Sequence, residues 1–187
     1  MKSAVVSLCL LAASTAPLLA QAQQAIVPAQ SEIAFVSRQM GVPVEGKFKS
    51  FSAQVAFDPA QLATSRITFT VDTGSADISR EANAELPKPT WFNVAAFPQA
   101  TFTSSSIKRV DATRYEVAGK LAIKGVSSDV VVPVTLAQNG ATTVASGAFP
   151  IKRLTFRIGE KEWADTSMVA DEVQVKFKIA LSGVPRL

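Results

Sequence analysis

Arg114 to Leu136, RYEVAGKLAIKGVSSDVVVPVTL, alternates apolar and polar residues on both sides of a glycine-bearing reversal, and its reading decides the fold. Tyr115, Val117, Gly119, Leu121 and Ile123 fall on one face of the first arm, and Arg114, Glu116, Lys120 and Lys124 on the other. A period of two is that of a strand with one dry and one wet side. Lys124-Gly125-Val126-Ser127 is expected to reverse the chain, with Gly125 free to take positive φ. Val130, Val132, Val134 and Leu136 then repeat the apolar face. Pro133 cannot donate to a ladder, so the second arm is expected to carry an edge, a bulge or a seam there.

Working outward, the same period recurs. Ser31 to Arg38 reads as a short strand and Val44 to Phe57 as one longer strand, bent near Gly46 and the Lys47/Lys49 pair and ended by Asp58-Pro59. Ala60 to Ala63 reads as a single helical turn. Arg66 to Asp72 sets Ile67, Phe69 and Val71 against Arg66, Thr68, Thr70 and Asp72. Gln99 to Lys108 and Thr142 to Phe149 are further strands, and Glu172 to Leu181 points Val173, Val175, Phe177, Ile179 and Leu181 inward against Glu172, Gln174, Lys176 and Lys178. The expected fold is all-β: one eight-stranded antiparallel barrel, closed so that no edge is left exposed. Thr73 to Pro98 breaks the period. Ser79 to Leu86 looks like a short helix with a Ser N-cap and early acid. Trp91, Phe92 and Phe97, between Pro89 and Pro98, are expected to fold over one barrel end as a lid.

Residues 1–22 read as a cleaved secretory signal peptide: Lys2, an apolar run too short to span a membrane, then Ala20-Gln21-Ala22. Residues 23–187 are then a single domain in the periplasm. Cys9 is the sole cysteine and there is no histidine. A Ser-His-Asp triad, a Cys-His pair and a zinc site of the usual ligands are thereby excluded, and no catalytic residue and no metal site is assigned. Glu162 with Asp165 or Asp171 with Glu172 could form a carboxylate pair, but such acids are commoner in solvated loops. The acidic loop around Trp163 lacks the dense oxygen spacing of a calcium site. The chain has 19 Lys and Arg against 15 Asp and Glu, and Lys2 is the one charged residue of the leader, so the remainder is net +3. Such mild, scattered charge disfavours nucleic-acid binding. Lysines opposite the large aliphatics also exclude an outer-membrane barrel, whose outside must be apolar, and stable membrane insertion is not expected.

Four segments, SRQMGVPVEGKFKSF, WFNVAAFPQATFTSS, YEVAGKLAIKGVSSDVVVPVTL and PIKRLTFRIGEKEWADTSMVADEVQVKF, together resemble the YceI-like periplasmic proteins that bind polyisoprenoid lipids. The resemblance spans about Glu32 to Leu181. It implies a lipocalin-like barrel, no enzyme, holding a polyprenyl chain or isoprenoid quinone lengthwise and needing no cofactor beyond that ligand. Two departures stand out. Many relatives carry Arg-Asp-x-His-Leu where Arg80 is here followed by EANAEL, and Phe-Gly-Ile-Gly where this chain has Phe156-Arg157-Ile158-Gly159.

The candidate cavity lining is Phe35, Phe48, Phe69, Trp91, Phe92, Phe97, Phe102, Phe149, Phe177 and Ile179, and the candidate headgroup cations are Arg38, Arg80, Lys152 and Arg153. Ala34, Ala53, Gly119 and Gly147, mixed among the rings, favour a cavity over a solid core. The competing reading is a filled barrel that serves as an interaction or stress protein without lipid, and a homodimer is left open.

Overall fold

The computed structural model describes residues 24–187. The expected leader, Cys9 and the cleavage position before Gln23 lie outside the described residues. In chain order the elements are β1 (Ala25–Ile26), β2 (Glu32–Gln39), β3 (Val42–Phe48), β4 (Phe51–Ala56), β5 (Arg66–Asp72), β6 (Ala76–Asp77), α1 (Arg80–Glu85), β7 (Gln99–Arg109), β8 (Arg114–Ile123), β9 (Val126–Asn139), β10 (Thr142–Lys152) and β11 (Glu172–Ser182). The eleven strands belong to one strongly curled antiparallel sheet, in the order β4-β5-β7-β8-β9-β10-β11-β2-β3-β6, with β1 added to β11.

The strand count differs from the expected eight because Val44 to Phe57 is two strands. β3 pairs with β2, whereas β4 pairs with β5 at the opposite end of the sheet. The bend joining them, Lys49-Ser50, is held by Ser75, whose Oγ accepts from Ser50 N at 3.1 Å and whose carbonyl accepts from Lys49 N at 3.1 Å. Counting β3 and β4 as one bent arm, eight long arms surround the interior, and the two-residue β1 and β6 are additions.

The β8–β9 hairpin keeps the expected inward faces, but its turn is only Lys124-Gly125, at φ 49° and 77°, so Val126 and Ser127 belong to the second arm and the ladder runs from Arg114↔Thr135 to Ile123↔Val126. Lys124 is not on the wet face. It is buried, donating to Arg157 O at 2.6 Å and Glu160 Oε2 at 2.9 Å. Pro133 marks a seam: β9 pairs with β10 only from Thr135 to Asn139, and ladder pairing ends where the proline offers no N–H. α1 starts as expected, with Ser79 Oγ accepting from Ala82 N at 3.3 Å.

Three inward glycines determine how the wall is surfaced. Gly46 faces Phe35, Gly147 faces Phe177, and Gly119 lies beneath the Phe102 ring. A Cβ at any of the three would sit 2.4 to 2.7 Å from a carbon of that ring. Each phenyl therefore lies flat over a glycine, covering the backbone instead of projecting across the lumen. Gly46 serves this purpose and not the chain bend, which comes three residues later. Ala34 was expected inward but points out of the barrel, between the buried Ile33 and Phe35.

Candidate functional site

The barrel interior holds two apolar chambers joined end to end. The inner chamber, about 170 Å³, is lined by alternate residues of β5, β7, β8, β9, β10 and β11, among them Phe69, Phe102, Tyr115, Val117, Val132, Val134, Phe177 and Ile179. The second, about 460 Å³, lies under α1 and the Trp91 segment and includes Phe35, Phe48, Ile78, Leu86, Trp91, Phe92, Ile123, Ile158 and Trp163. Ile33, Val71, Ala100, Leu121, Phe149 and Val175 line both, and so form the waist between them.

The two ends differ. At the inner end Phe57 meets Tyr115 edge to face, 5.5 Å between centroids, and the Gln24 amide clamps the Phe57 backbone at 2.7 and 2.9 Å. Val184 also lines this end, its carbonyl accepting from Gln138 Nε2 at 3.4 Å. The lid chamber instead reaches the exposed residues Gln39, Ser79 and Glu81. Glu81 and Glu85 lie one turn apart on the chamber side of α1, so the lining there is acidic. Lys88 pairs with Glu85.

Nine of the ten expected lining residues are placed around the chambers. The exception is Phe97, whose ring packs against Gly125 at the β8–β9 turn, 2.9 Å from where a Cβ would lie. Trp91 packs against Trp163 with ring centroids 5.4 Å apart and planes tilted by 51°, and its segment is tied down where Thr90 O accepts from Gly159 N and Glu160 N, both at 2.8 Å.

None of the four headgroup cations offers a free donor in the lumen. Arg38, Arg80 and Lys152 are exposed and line neither chamber, and Arg38 donates to Gly41 O at 3.3 Å. Arg153 does reach the lid chamber and is 2 % exposed, but its guanidinium is fully occupied. Nε donates to Ala170 O, Nη1 to Ile158 O and Gly159 O, and Nη2 to Trp163 O and Val169 O, at 2.7 to 3.0 Å. All five guanidinium donors are thus used. Burial pushes this group below its ordinary value, and the nearby Asp171 opposes the shift. Arg153 is the hub of the 153–171 loop and not a headgroup clamp.

Of the acids weighed as catalytic pairs, Asp165 and Asp171 are structural. Asp165 accepts from the Ser167 hydroxyl at 2.7 Å and backbone N–H at 2.8 Å, which hold its carboxyl below the usual carboxylate range. Asp171 Oδ1 accepts from Leu154 N at 2.9 Å. Neither these acids nor Glu162 and Glu172 line a chamber. Two other polar atoms are buried without a hydrogen-bond partner among the described residues: Trp91 Nε1 in the lid chamber and the Tyr115 hydroxyl in the inner one.

Comparison with known proteins agrees with this geometry. The model of the YceI-like domain matches residues 25–181. The chain belongs to the YceI-like family. Protein YceI of Salmonella arizonae is 33% identical over 96 residues, 51% of this chain and 50% of that protein, so the matched stretch spans about half the length of such relatives. Among solved structures, BcnA of Burkholderia cenocepacia is 49% identical, with a TM-score of 0.80 over 83% of this chain and 98% of that one. A polyisoprenoid binding domain from Saccharophagus degradans shares the fold at 14% identity, with a TM-score of 0.70 over 86% of this chain and 98% of that one. The Arg157 departure of this YceI-like chain has a local explanation. Arg157 sits at φ 58°, where a glycine is the easier residue, and its exposed side chain pairs with Glu160 at 3.0 Å and lines neither chamber.

Sequence reasoning missed Phe57, Glu81, Glu85 and the waist as a unit. Leu121 and Val175 were legible from strand alternation, and Glu81 and Glu85 from helical spacing. Phe57 was legible too, since it continues the alternation Phe51, Ala53, Val55 just past the end of β4.

Proposed function

We propose that this protein is a non-enzymatic periplasmic carrier of a long-chain isoprenoid lipid with an uncharged head, such as an isoprenoid quinone. The observation that carries the reading is the pair of chambers meeting at a shared apolar waist, a shape suited to one long chain lying through both. Each methylene removed from water contributes ~0.8 kcal/mol, so ten buried carbons suffice for tight binding without a strong polar contact. An uncharged head is favoured by the saturated Arg153, the acids of α1 and the lone Trp91 N–H, which suits a single acceptor such as a quinone carbonyl. The fold shared with the Saccharophagus degradans polyisoprenoid binding domain is consistent with this reading. The two open chambers weigh against a filled barrel.

The test is a paired titration with a quinone and a polyprenyl phosphate of equal chain length. The quinone should bind at least tenfold more tightly. Equal affinity, or preference for the phosphate, would contradict the uncharged-head reading, and binding of neither would contradict the carrier.

A further inference from the structure

Among the described residues five large hydrophobic side chains are strongly exposed, and three of them, Met40 at 71%, Val42 at 63% and Met168 at 49%, form one patch. Met40 N donates to Met168 O at 2.9 Å, and Val42 pairs with Gln39 across the β2–β3 turn. Gln39 in turn bridges to Val169, and both of these residues line the lid chamber. The patch is therefore continuous with the rim of the cavity, at the end where its lining reaches the surface.

The turn itself breaks a local rule. Met40 at φ 48° and Gly41 at φ 81° form a two-residue hairpin link with both central residues in the left-handed region, a geometry that favours Asn or Asp followed by Gly. Methionine in the first place costs conformational energy, and its exposed side chain returns none of it within the folded chain. Rule-breaking of this kind concentrates at functional positions.

We propose that the Met40-Gly41-Val42 turn and Met168 form a tip that docks on a bilayer surface, so that ligand enters and leaves the lid chamber directly from the membrane. A bilayer fits better than a protein partner. Three side chains are far fewer than the 20 to 30 residues a side of a stable protein interface, and the patch has none of the aromatic anchors such interfaces use. Shallow insertion needs only a few apolar groups, with a cation to meet the headgroups; the exposed Arg38, hydrogen-bonded to Gly41 O, supplies one. This inference rests on the carrier reading for its purpose but is measured independently of it.

The experiment uses vesicles of phosphatidylethanolamine and phosphatidylglycerol at 3:1, with flotation of the apo protein and the rate of ubiquinone transfer between vesicles as readouts. Met40→Asn suits the turn better than methionine, so its thermal midpoint should equal or exceed that of the parent chain. Its vesicle-bound fraction and transfer rate should nevertheless fall at least fivefold, and further with Met168→Ser added, while affinity for ubiquinone delivered from detergent stays within twofold. Flotation and transfer unchanged in Met40→Asn would overturn the docking tip. Should ubiquinone fail to bind from detergent while flotation still falls, the tip stands and the carrier reading does not.

Discussion

Gly46 and Phe35 face each other across the β2–β3 ladder, and a methyl group on Gly46 would lie 2.4 Å from Cζ of the Phe35 ring. The nearest groups it would meet belong to side chains, Phe35 and Ile78, so the ring and not the backbone must yield. Gly46→Ala should turn the ring into the lid chamber. Overpacking of this kind costs about 1 to 3 kcal/mol, and ligand affinity should fall about tenfold in a quinone titration. Phe35→Leu in the same chain should recover most of the affinity; no recovery would mean that the ring does not gate the volume.

Arg153 illustrates why a basic residue between apolar neighbours is ambiguous in sequence. Removing it strands five carbonyl groups, three of them buried, so Arg153→Met should destabilise by about 3 kcal/mol or more and lower the thermal midpoint by about 6 to 12 °C. Lysine, with three donors on a single nitrogen, cannot span the same carbonyls, and Arg153→Lys should recover only part of the loss. A stable Arg153→Met chain with weakened ligand binding would restore the headgroup role.

Much of the fold is legible in the sequence. Period-two alternation gave the inward faces of β8, β9 and β11, though not the two-residue turn that sets the β8–β9 pairing, and Ser79 with Glu81 marked α1. What stayed hidden depends on contacts distant in sequence. The change of partner from β2 to β5 at Lys49-Ser50 leaves no mark on local periodicity. Lys124 looks like one more wet lysine until Glu160 and Arg157 O are brought to it, and Phe97 shares its aromatic segment with Trp91 yet turns to Gly125. The glycines opposite Phe35 and Phe177 were visible individually, but their meaning as ring beds requires the register.

The Lys124–Glu160 tie makes stability sensitive to acid. Hydrogen bonds from Lys124 first, then from Arg157, hold the Glu160 carboxyl below its ordinary value of 4.5. A depressed carboxylate stabilises the fold above its unfolded value and ceases to do so as pH falls through the folded one. The difference in stability between the parent chain and Glu160→Gln, followed by urea titration, should therefore be largest near neutral pH and shrink as pH falls below the ordinary carboxylate range. A difference independent of pH would remove Glu160 charge from the account.

Trp91 lines the lid chamber and can report its filling. With Trp163 replaced by Phe, which keeps an aromatic neighbour, Trp91 emission should shift as quinone is added. Trp91→Ala should accelerate release more than it slows uptake, because contacts made only in the complex act mainly on the off-rate. Unchanged emission at saturation together with unchanged release would leave Trp91 as ordinary packing at the barrel end.

Phe177 lines the inner chamber and covers Gly147, so part of its surroundings is already open. Phe177→Ala should then cost about 2 kcal/mol, less than the 3 to 5 typical of a packed phenylalanine, and Lys176→Ala on the outer face should cost almost nothing. Equal costs in chemical denaturation would mean that the register of β11 is wrong.

The central claim is that the two chambers hold one lipid, and organic extraction of protein purified from the periplasm without added detergent, followed by mass spectrometry, tests it most directly. An uncharged isoprenoid lipid at close to one per chain is the expected result. An extract free of isoprenoids, from protein that also fails to take up added quinone, would contradict it.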